Sequence, residues 1–163
     1  MTAKQLFATA LFALVCSSGA YAYDPKATIA DLDAKLAELG APSVNGTQKV
    51  GDKEAPALYF GSHKLNNNYE VVDAIRKTHW ATATVFVKDG HEFVRVSTNV
   101  LTPEGKRGVG TELAHNKAYD ALIKGEQYCG VIDVLGTSFD ACYNPVKDAK
   151  GQIIGASYIG HRK

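Results

Sequence analysis

The stretch TVFVKDGHEFVRVSTNV, residues 84–100, contains two runs in which apolar and polar side chains alternate around a central Asp89-Gly90 pair. Alternation with a period of two is typical of a half-buried β-strand, and Asp-Gly is a favoured pair at the tip of a two-residue hairpin turn. The stretch therefore predicts a β-hairpin with strands over residues 81–88 and 91–99.

Arg95 lies in the middle of the second predicted strand. Successive side chains of a strand point to opposite faces, which places Phe93, Arg95 and Ser97 together on one face. The other face carries Val94, Val96 and Thr98. We expect this valine face to pack against a helix, which leaves Arg95 on the opposite side of the sheet.

The flanking sequence predicts one long helix and further strands. Apolar residues recur at helical spacing from Ile29 to Leu39, which indicates a first helix over residues 24–40. Shorter helices are expected over residues 68–77 and 116–124, and strands over residues 57–60, 127–135, 138–146 and 152–160. Residues 42–52 are interpreted as a loop or a short edge strand. The fold class is α+β, with about five antiparallel strands in a sheet domain over residues 50–160.

The first 22 residues have the features of a secretory signal peptide. Lys4 provides a positive start, residues 6–15 are apolar, and Ala20-Tyr21-Ala22 resembles a signal-peptidase site. We expect cleavage after Ala22 and export to the periplasm, with residues 23–163 as one domain. Lipid attachment at Cys16 is the alternative, although Val15 is bulky for the usual attachment motif.

The charge of the mature chain excludes two classes of partner. Removing Lys4 from the 18 Lys and Arg residues leaves 17, which equals the number of Asp and Glu residues. A neutral domain without a basic run lacks the electrostatic surface of a nucleic-acid or anionic-membrane binder. Neither nucleic acid nor stable membrane insertion is therefore expected.

Two cysteines, Cys129 and Cys142, remain after signal cleavage. An even pair in an oxidising compartment favours a disulfide. If Leu135-Gly136 forms the centre of a hairpin turn, the two cysteines stand directly opposite each other. A metal or redox pair is the alternative, but it would require closer spacing or nearby histidines.

Several short strings follow one another between residue 50 and the C-terminus: PALYFG (56–61), ATVFV (83–87), FVRVSTNV (93–100), VGT (109–111), GEQY (125–128), VLG (134–136), YNPVKD (143–148), GQIIG (151–155) and YIG (158–160). Taken in this order, they resemble the Cache sensor domains of bacterial chemoreceptors, specifically the Cache 3/Cache 2 fusion type. His79-Trp80 departs from the family pattern, where a Gly-Gly pair is expected.

The resemblance implies a PAS-like sheet with the long helix on one side and a small-molecule pocket on the other. It also implies a role in chemotaxis signalling, in which the domain presents its bound ligand to a membrane receptor. In addition, it implies that two copies of the domain pair through the N-terminal helix. The sequence ends at Lys163 without a second membrane helix. We therefore expect a stand-alone exported protein.

Arg95 is the candidate anchor for a ligand. Its planar guanidinium can hold a carboxylate through two parallel hydrogen bonds, so an organic acid or an amino acid is the expected ligand. The alternative is a surface ion pair with Glu92, Asp133 or Asp140. The other candidate ligand-binding residues are Ser97, Trp80, Phe86, Tyr128 and Tyr143.

An enzymatic role is not expected. No Gly-x-Ser-x-Gly motif is present, and the five histidines are scattered without the spacing of metal ligands. We therefore predict no catalytic residue, no metal site and no cofactor. A docking or scaffold module that has lost its ligand is the alternative to the ligand-binding domain.

Overall fold

The computed structural model describes residues 23–163, so the predicted signal peptide and Cys16 lie outside the described residues. Within residues 23–163, three helices and eight strands follow one another. In order they are α1 (Pro25–Leu39), β1 (Pro42–Val50), β2 (Lys53–Phe60), β3 (His63–Lys64), α2 (Glu70–His79), β4 (Thr82–Asp89), β5 (Glu92–Thr98), α3 (Lys117–Ile123), β6 (Tyr128–Val134), β7 (Thr137–Lys147) and β8 (Ile153–Arg162).

Five strands form the main antiparallel sheet, in the order β5-β4-β8-β7-β6. The hairpin predicted around Asp89-Gly90 joins β4 to β5, with Asp89 paired to Glu92. Leu135 and Gly136 both have positive φ and form the two-residue turn between β6 and β7. The predicted α+β class with a five-stranded antiparallel sheet is confirmed.

A second sheet, in the order β1-β2-β3, was not predicted in full. Residues 42–52 were expected to be a loop or a short edge strand, yet β1 runs for nine residues beside β2. Most of β1 is exposed, and its register shifts between Val44 and Thr47. Because neither of its faces is mainly buried, its sequence lacks the alternation that identifies a strand.

Helix α1 begins where the Asp24 side chain accepts a hydrogen bond from the backbone N–H of Lys26, with Pro25 at the first helical position. It ends at Gly40, whose φ is +126°. A Cβ at Gly40 would lie 2.6 Å from the Cα of Gly61, so glycine is required for this close approach to the end of β2.

Each face of the main sheet has its own core. On one face, α1, α2 and β2 cover Val85, Val87, Val94 and Val96, as predicted for the valine side of the hairpin. The opposite core is rich in aromatic residues and is covered in part by α3. Its members include Phe86, Phe93, Leu113, Ala118, Leu122, Phe139, Tyr143 and Tyr158.

A β-bulge in β5 reverses the predicted side of Ser97. Arg95 pairs with Phe86, but Ser97 pairs with Val85, so one extra β5 residue lies between the two pairs. Paired residues share a face, and Ser97 therefore points to the α1 and α2 side with Val85. Its hydroxyl donates to the backbone oxygen of Asn68 at 2.5 Å. The predictions that Ser97 shares the face of Arg95 and that Thr98 shares the face of Val94 and Val96 are both wrong, because strict alternation ends at the bulge.

Cys129 and Cys142 form a disulfide, as predicted. They are directly paired across β6 and β7, with Cα atoms 4.2 Å apart. The bond connects the edge strand of the sheet to its neighbour.

Candidate ligand site around Arg95

Arg95 is a buried cation in the aromatic core, with only 2% of its surface exposed. Its Nη1 nitrogen donates to Thr111 Oγ1 at 3.0 Å and to the backbone oxygen of Glu112 at 2.7 Å. The backbone N–H of Arg95 also donates to the oxygen of Thr111 at 2.9 Å. These bonds hold the loop before α3 against β5 and fix one side of the guanidinium.

The other side of the guanidinium has no partner among residues 23–163. Nε is fully buried without a hydrogen bond, and Nη2 makes none either. The N–H groups of Nε and Nη2 point in the same direction, and together they are one of the two-donor edges with which arginine grips a carboxylate. A buried polar group without a partner is costly and calls for an explanation.

None of the ion pairs in the described part of the chain includes Arg95. Of the carboxylates considered as partners, Glu92 lies 2.9 Å from the ring of His115. Asp133 accepts a hydrogen bond from the backbone of Gly136. The alternative interpretation, a surface ion pair of Arg95 with one of these residues, is therefore wrong.

Aromatic side chains surround the guanidinium. Arg95 Cζ lies 4.9 Å from the centre of the Phe86 ring, within the range of a cation–π contact. The Phe86 ring is 6.5 Å from that of Tyr143, and the Tyr143 ring is 4.8 Å from that of Tyr158. Sheet pairing explains the cluster, because Tyr128, Tyr143 and Tyr158 are cross-strand neighbours on β6, β7 and β8.

The two buried tyrosine hydroxyls differ in their bonding. Tyr158 Oη lies 3.1 Å from Thr82 Oγ1 and shares a hydrogen bond with it. The hydroxyl of Tyr143 is fully buried and has no partner. The Arg95 cluster therefore contains two buried polar groups without a partner, one cationic and one able to donate or accept.

Burial determines the ionisation of this cluster. Loss of hydration lowers the pKa of Arg95, and the neighbouring hydroxyls of Tyr143 and Tyr158 oppose that shift. Burial likewise raises the pKa of Tyr143 and of Tyr158, so both hydroxyls stay neutral. The cluster presents a cation and a neutral hydroxyl in an apolar setting, where an anion would interact more strongly than in water.

The profile of the Cache 3/Cache 2 fusion domain matches residues 31–163. The chain belongs to this family. The resemblance seen in the sequence is thereby confirmed, and it extends further toward the N-terminus than the strings from residue 50 onward. Cache sensor domains are a ligand-binding family, so the protein belongs to a sensory, ligand-binding class.

The crystal structure of the E. coli DcuS sensor domain is similar at 19% identity, with a TM-score of 0.42, over 56% of this chain and 62% of that chain. A search of curated proteins found no match.

Four of the six predicted ligand-binding residues of the Cache domain lie in or beside the cluster: Arg95, Phe86, Tyr128 and Tyr143. Tyr128 is half-buried, with its ring 6.4 Å from that of Tyr143. Ser97 faces the opposite side of the sheet, and Trp80 lies at the end of α2, 85% exposed. The structure therefore separates the last two residues from Arg95.

Two residues of the cluster, Thr111 and Tyr158, were not predicted. Tyr158 pairs with Tyr143 across β7 and β8, but the register between these strands shifts between Val146 and Lys147. A regular hairpin built on the turn at residues 148–151 would not place the two tyrosines opposite each other. Thr111 comes from a loop, where no periodic pattern indicates its position.

No helix within residues 23–163 is long and apolar enough to cross a membrane. No group of three or more His, Cys, Asp or Glu side chains in the same residues could hold a metal ion.

Proposed function

We propose that this Cache domain is an exported sensory module that binds a small organic anion through Arg95. The observation that carries the proposal is the buried guanidinium whose Nε and Nη2 donors have no partner in residues 23–163. A ligand carboxylate would accept both hydrogen bonds and neutralise the charge, which removes the cost of an unpaired buried cation.

Tyr143 supports the same proposal. Its unpartnered hydroxyl belongs to the same cluster and influences the pKa of Arg95. A ligand that carries a carboxylate and a second polar group, such as a hydroxy or keto acid, would satisfy both Arg95 and Tyr143. The rings of Phe86, Tyr128 and Tyr158 would then enclose its carbon skeleton.

The proposal extends to the setting of the domain. The signal-peptide pattern of residues 1–22 and the Cys129–Cys142 disulfide support an oxidising compartment, which we propose is the periplasm. Resemblance to chemoreceptor domains supports presentation of the bound ligand to a membrane receptor and pairing of two copies through α1. Light scattering of residues 23–163 tests the pairing directly, since a monomer at every concentration would contradict it.

A thermal-shift screen with acetate, lactate, pyruvate, malate, citrate and glycine tests ligand binding. A ligand present at about one hundred times its dissociation constant adds about 2.7 kcal/mol to the free energy of unfolding. We expect at least one acid to raise the melting temperature of the wild type. Calorimetric titration then gives the dissociation constant of that acid.

The decisive variant is Arg95→Ala, with Arg95→Met as a second variant that keeps more of the aliphatic volume. We expect both to retain the far-UV circular dichroism of the wild type and to lose binding. Arg162→Ala, which removes an exposed arginine at the end of β8, is the matched control and should bind normally. Unchanged affinity in both Arg95 variants would exclude the anchor role, and a screen without any hit would favour the docking module.

A further inference from the structure

An open groove of about 840 Å³ lies at one end of the main sheet, where β4 begins and β8 ends. Its floor is apolar and includes Val100, Val134 and Phe139, all of which are buried. Helix α2 contributes one wall through its last turn and Trp80. Of the residues proposed to contact the Arg95 ligand, none lines this groove.

The groove carries positive charge that no carboxylate neutralises. Arg76, Lys77 and Arg162 line it, are exposed, and make no ion pair within residues 23–163. The one carboxylate among the lining residues, Asp73, is occupied by Arg107 through bonds of 2.8 and 2.9 Å. An occupant of the groove should therefore be acidic.

Trp80 has no evident role in the fold. It is the single tryptophan of the chain, its side chain is 85% exposed, and its φ is +56° at the C-terminal cap of α2. Glycine adopts this left-handed conformation without strain and is the usual residue at such a cap. A strained, exposed tryptophan beside an apolar floor is typical of a binding surface, where tryptophan and arginine contribute most.

The exposure of the walls indicates the kind of occupant. Trp80 is 85% exposed and Leu101, also on the groove, is 50% exposed. Sites for small metabolites bury roughly 70–90% of the ligand, which such open walls cannot do. An extended chain needs an open groove, since it enters at one end and leaves at the other.

We propose that this groove docks an acidic segment of a partner protein. Carboxylates of the segment would meet Arg76, Lys77 and Arg162, and an apolar side chain would lie on the floor against Trp80. This interaction goes beyond binding of a small anion and uses different residues from the Arg95 cluster. The two proposals can therefore fail separately.

Selection from a displayed library of random dodecapeptides provides the probe. We expect the enriched peptides to combine several Asp or Glu residues with one large apolar residue. A synthetic copy of an enriched peptide is then titrated, and the emission of Trp80 is followed. Because no other tryptophan is present, a saturable shift of the emission to shorter wavelength reports burial of Trp80 itself.

Variants assign the binding to the groove. The triple variant Arg76→Ala/Lys77→Ala/Arg162→Ala should weaken binding by about tenfold or more, measured by anisotropy of a labelled peptide. Trp80→Ala should weaken it as well. The matched control Lys26→Ala/Lys117→Ala/Lys150→Ala removes the same number of positive charges from exposed positions outside the groove and should bind normally.

Several outcomes would overturn the proposal: no enrichment of peptides, enrichment without acidic residues, or an equal loss of affinity in the control triple variant. A saturable change of Trp80 emission with citrate but with none of the peptides would assign the groove to a small anion instead. Arg95→Met should leave the affinity for the peptide unchanged. The peptide test therefore remains valid even if Arg95 does not bind a small anion.

Discussion

At the scale of single residues, Arg95 and Tyr143 show that the aromatic core is built around polar atoms it does not satisfy. Most buried polar groups in proteins have a hydrogen-bond partner, because an unpaired group loses its hydration without compensation. Under the proposed function, a bound anion supplies the missing partner of both groups. Loss of the hydroxyl should therefore have opposite effects on stability at Tyr143 and at Tyr158.

Tyr143→Phe should raise the free energy of unfolding in the absence of ligand by about 1 kcal/mol, because it removes a buried hydroxyl that has no partner. Tyr158→Phe should lower it by about 1 kcal/mol, because the hydroxyl of Tyr158 bonds to Thr82. Urea unfolding of the three proteins measures both changes. Equal destabilisation by the two substitutions would mean that Tyr143 also has a structural partner.

The sequence predicts the face of Arg95 but not that of Ser97, and the reason is local. Alternation holds from Phe93 to Arg95, so the position of Arg95 follows from the period of the strand. One extra residue in β5 then reverses the side for Ser97. A bulge is defined by how a strand pairs with its neighbour. The alternation pattern within one strand carries no information about that pairing.

At the scale of elements, Asp33 connects α1 to the main sheet. Its carboxylate accepts hydrogen bonds from Ser157 of β8 and Asn144 of β7, each at 2.5 Å. Burial raises the pKa of Asp33, and these two hydrogen bonds offset only part of the rise. No cation pairs with Asp33 among residues 23–163. The contact of α1 with the sheet is therefore sensitive to pH.

The stability of the wild type relative to Asp33→Asn should decrease as the pH rises. With a raised pKa in the folded state, the folded protein holds the Asp33 proton more tightly than the unfolded chain, whose pKa is about 3.9. The contribution of Asp33 to the free energy of unfolding is therefore fully present below about pH 3.9. It is lost as the pH rises through the folded-state pKa of Asp33. Urea unfolding of both proteins between acidic and neutral pH measures the difference, and a difference that grows with pH would contradict the assignment.

The disulfide between β6 and β7 should contribute about 3 kcal/mol to the free energy of unfolding, as expected for a loop closed over a sequence separation of 13 residues. Mass spectrometry of the exported protein should find the single bridge Cys129–Cys142. Comparison of the wild type with Cys129→Ala/Cys142→Ala by urea unfolding measures the contribution. Two free thiols in the exported protein would contradict the bridge.

The sequence locates best those helices and strands that have a long apolar periodicity and clear end signals. Helix α1 and the β4–β5 hairpin have long apolar periodicity and clear end signals, and their predicted bounds are close to the observed ones. Strand β1 is mostly exposed and is held mainly by pairing with β2. Such a strand depends on its neighbour, so its own residues predict it poorly.

At the scale of the whole molecule, the sheet separates two environments. One face is closed by α1, α2 and β2, and the other contains the Arg95 cluster, while the groove lies at the end of the sheet where β4 begins and β8 ends. The small sheet β1-β2-β3 lies on the closed face. Its buried residues Val50, Leu58 and Phe60 belong to the same core as Ile29 of α1 and Val85 of β4.

Because the small sheet has no separate core, residues 23–163 should unfold in one cooperative transition. Circular dichroism of the backbone and tyrosine absorbance should give the same urea midpoint. Leu58→Ala, which truncates a fully buried side chain of β2, should lower the free energy of unfolding by about 2–5 kcal/mol and move both midpoints together. If the variant instead separates the two signals, the small sheet folds as an independent unit and the chain contains more than one domain.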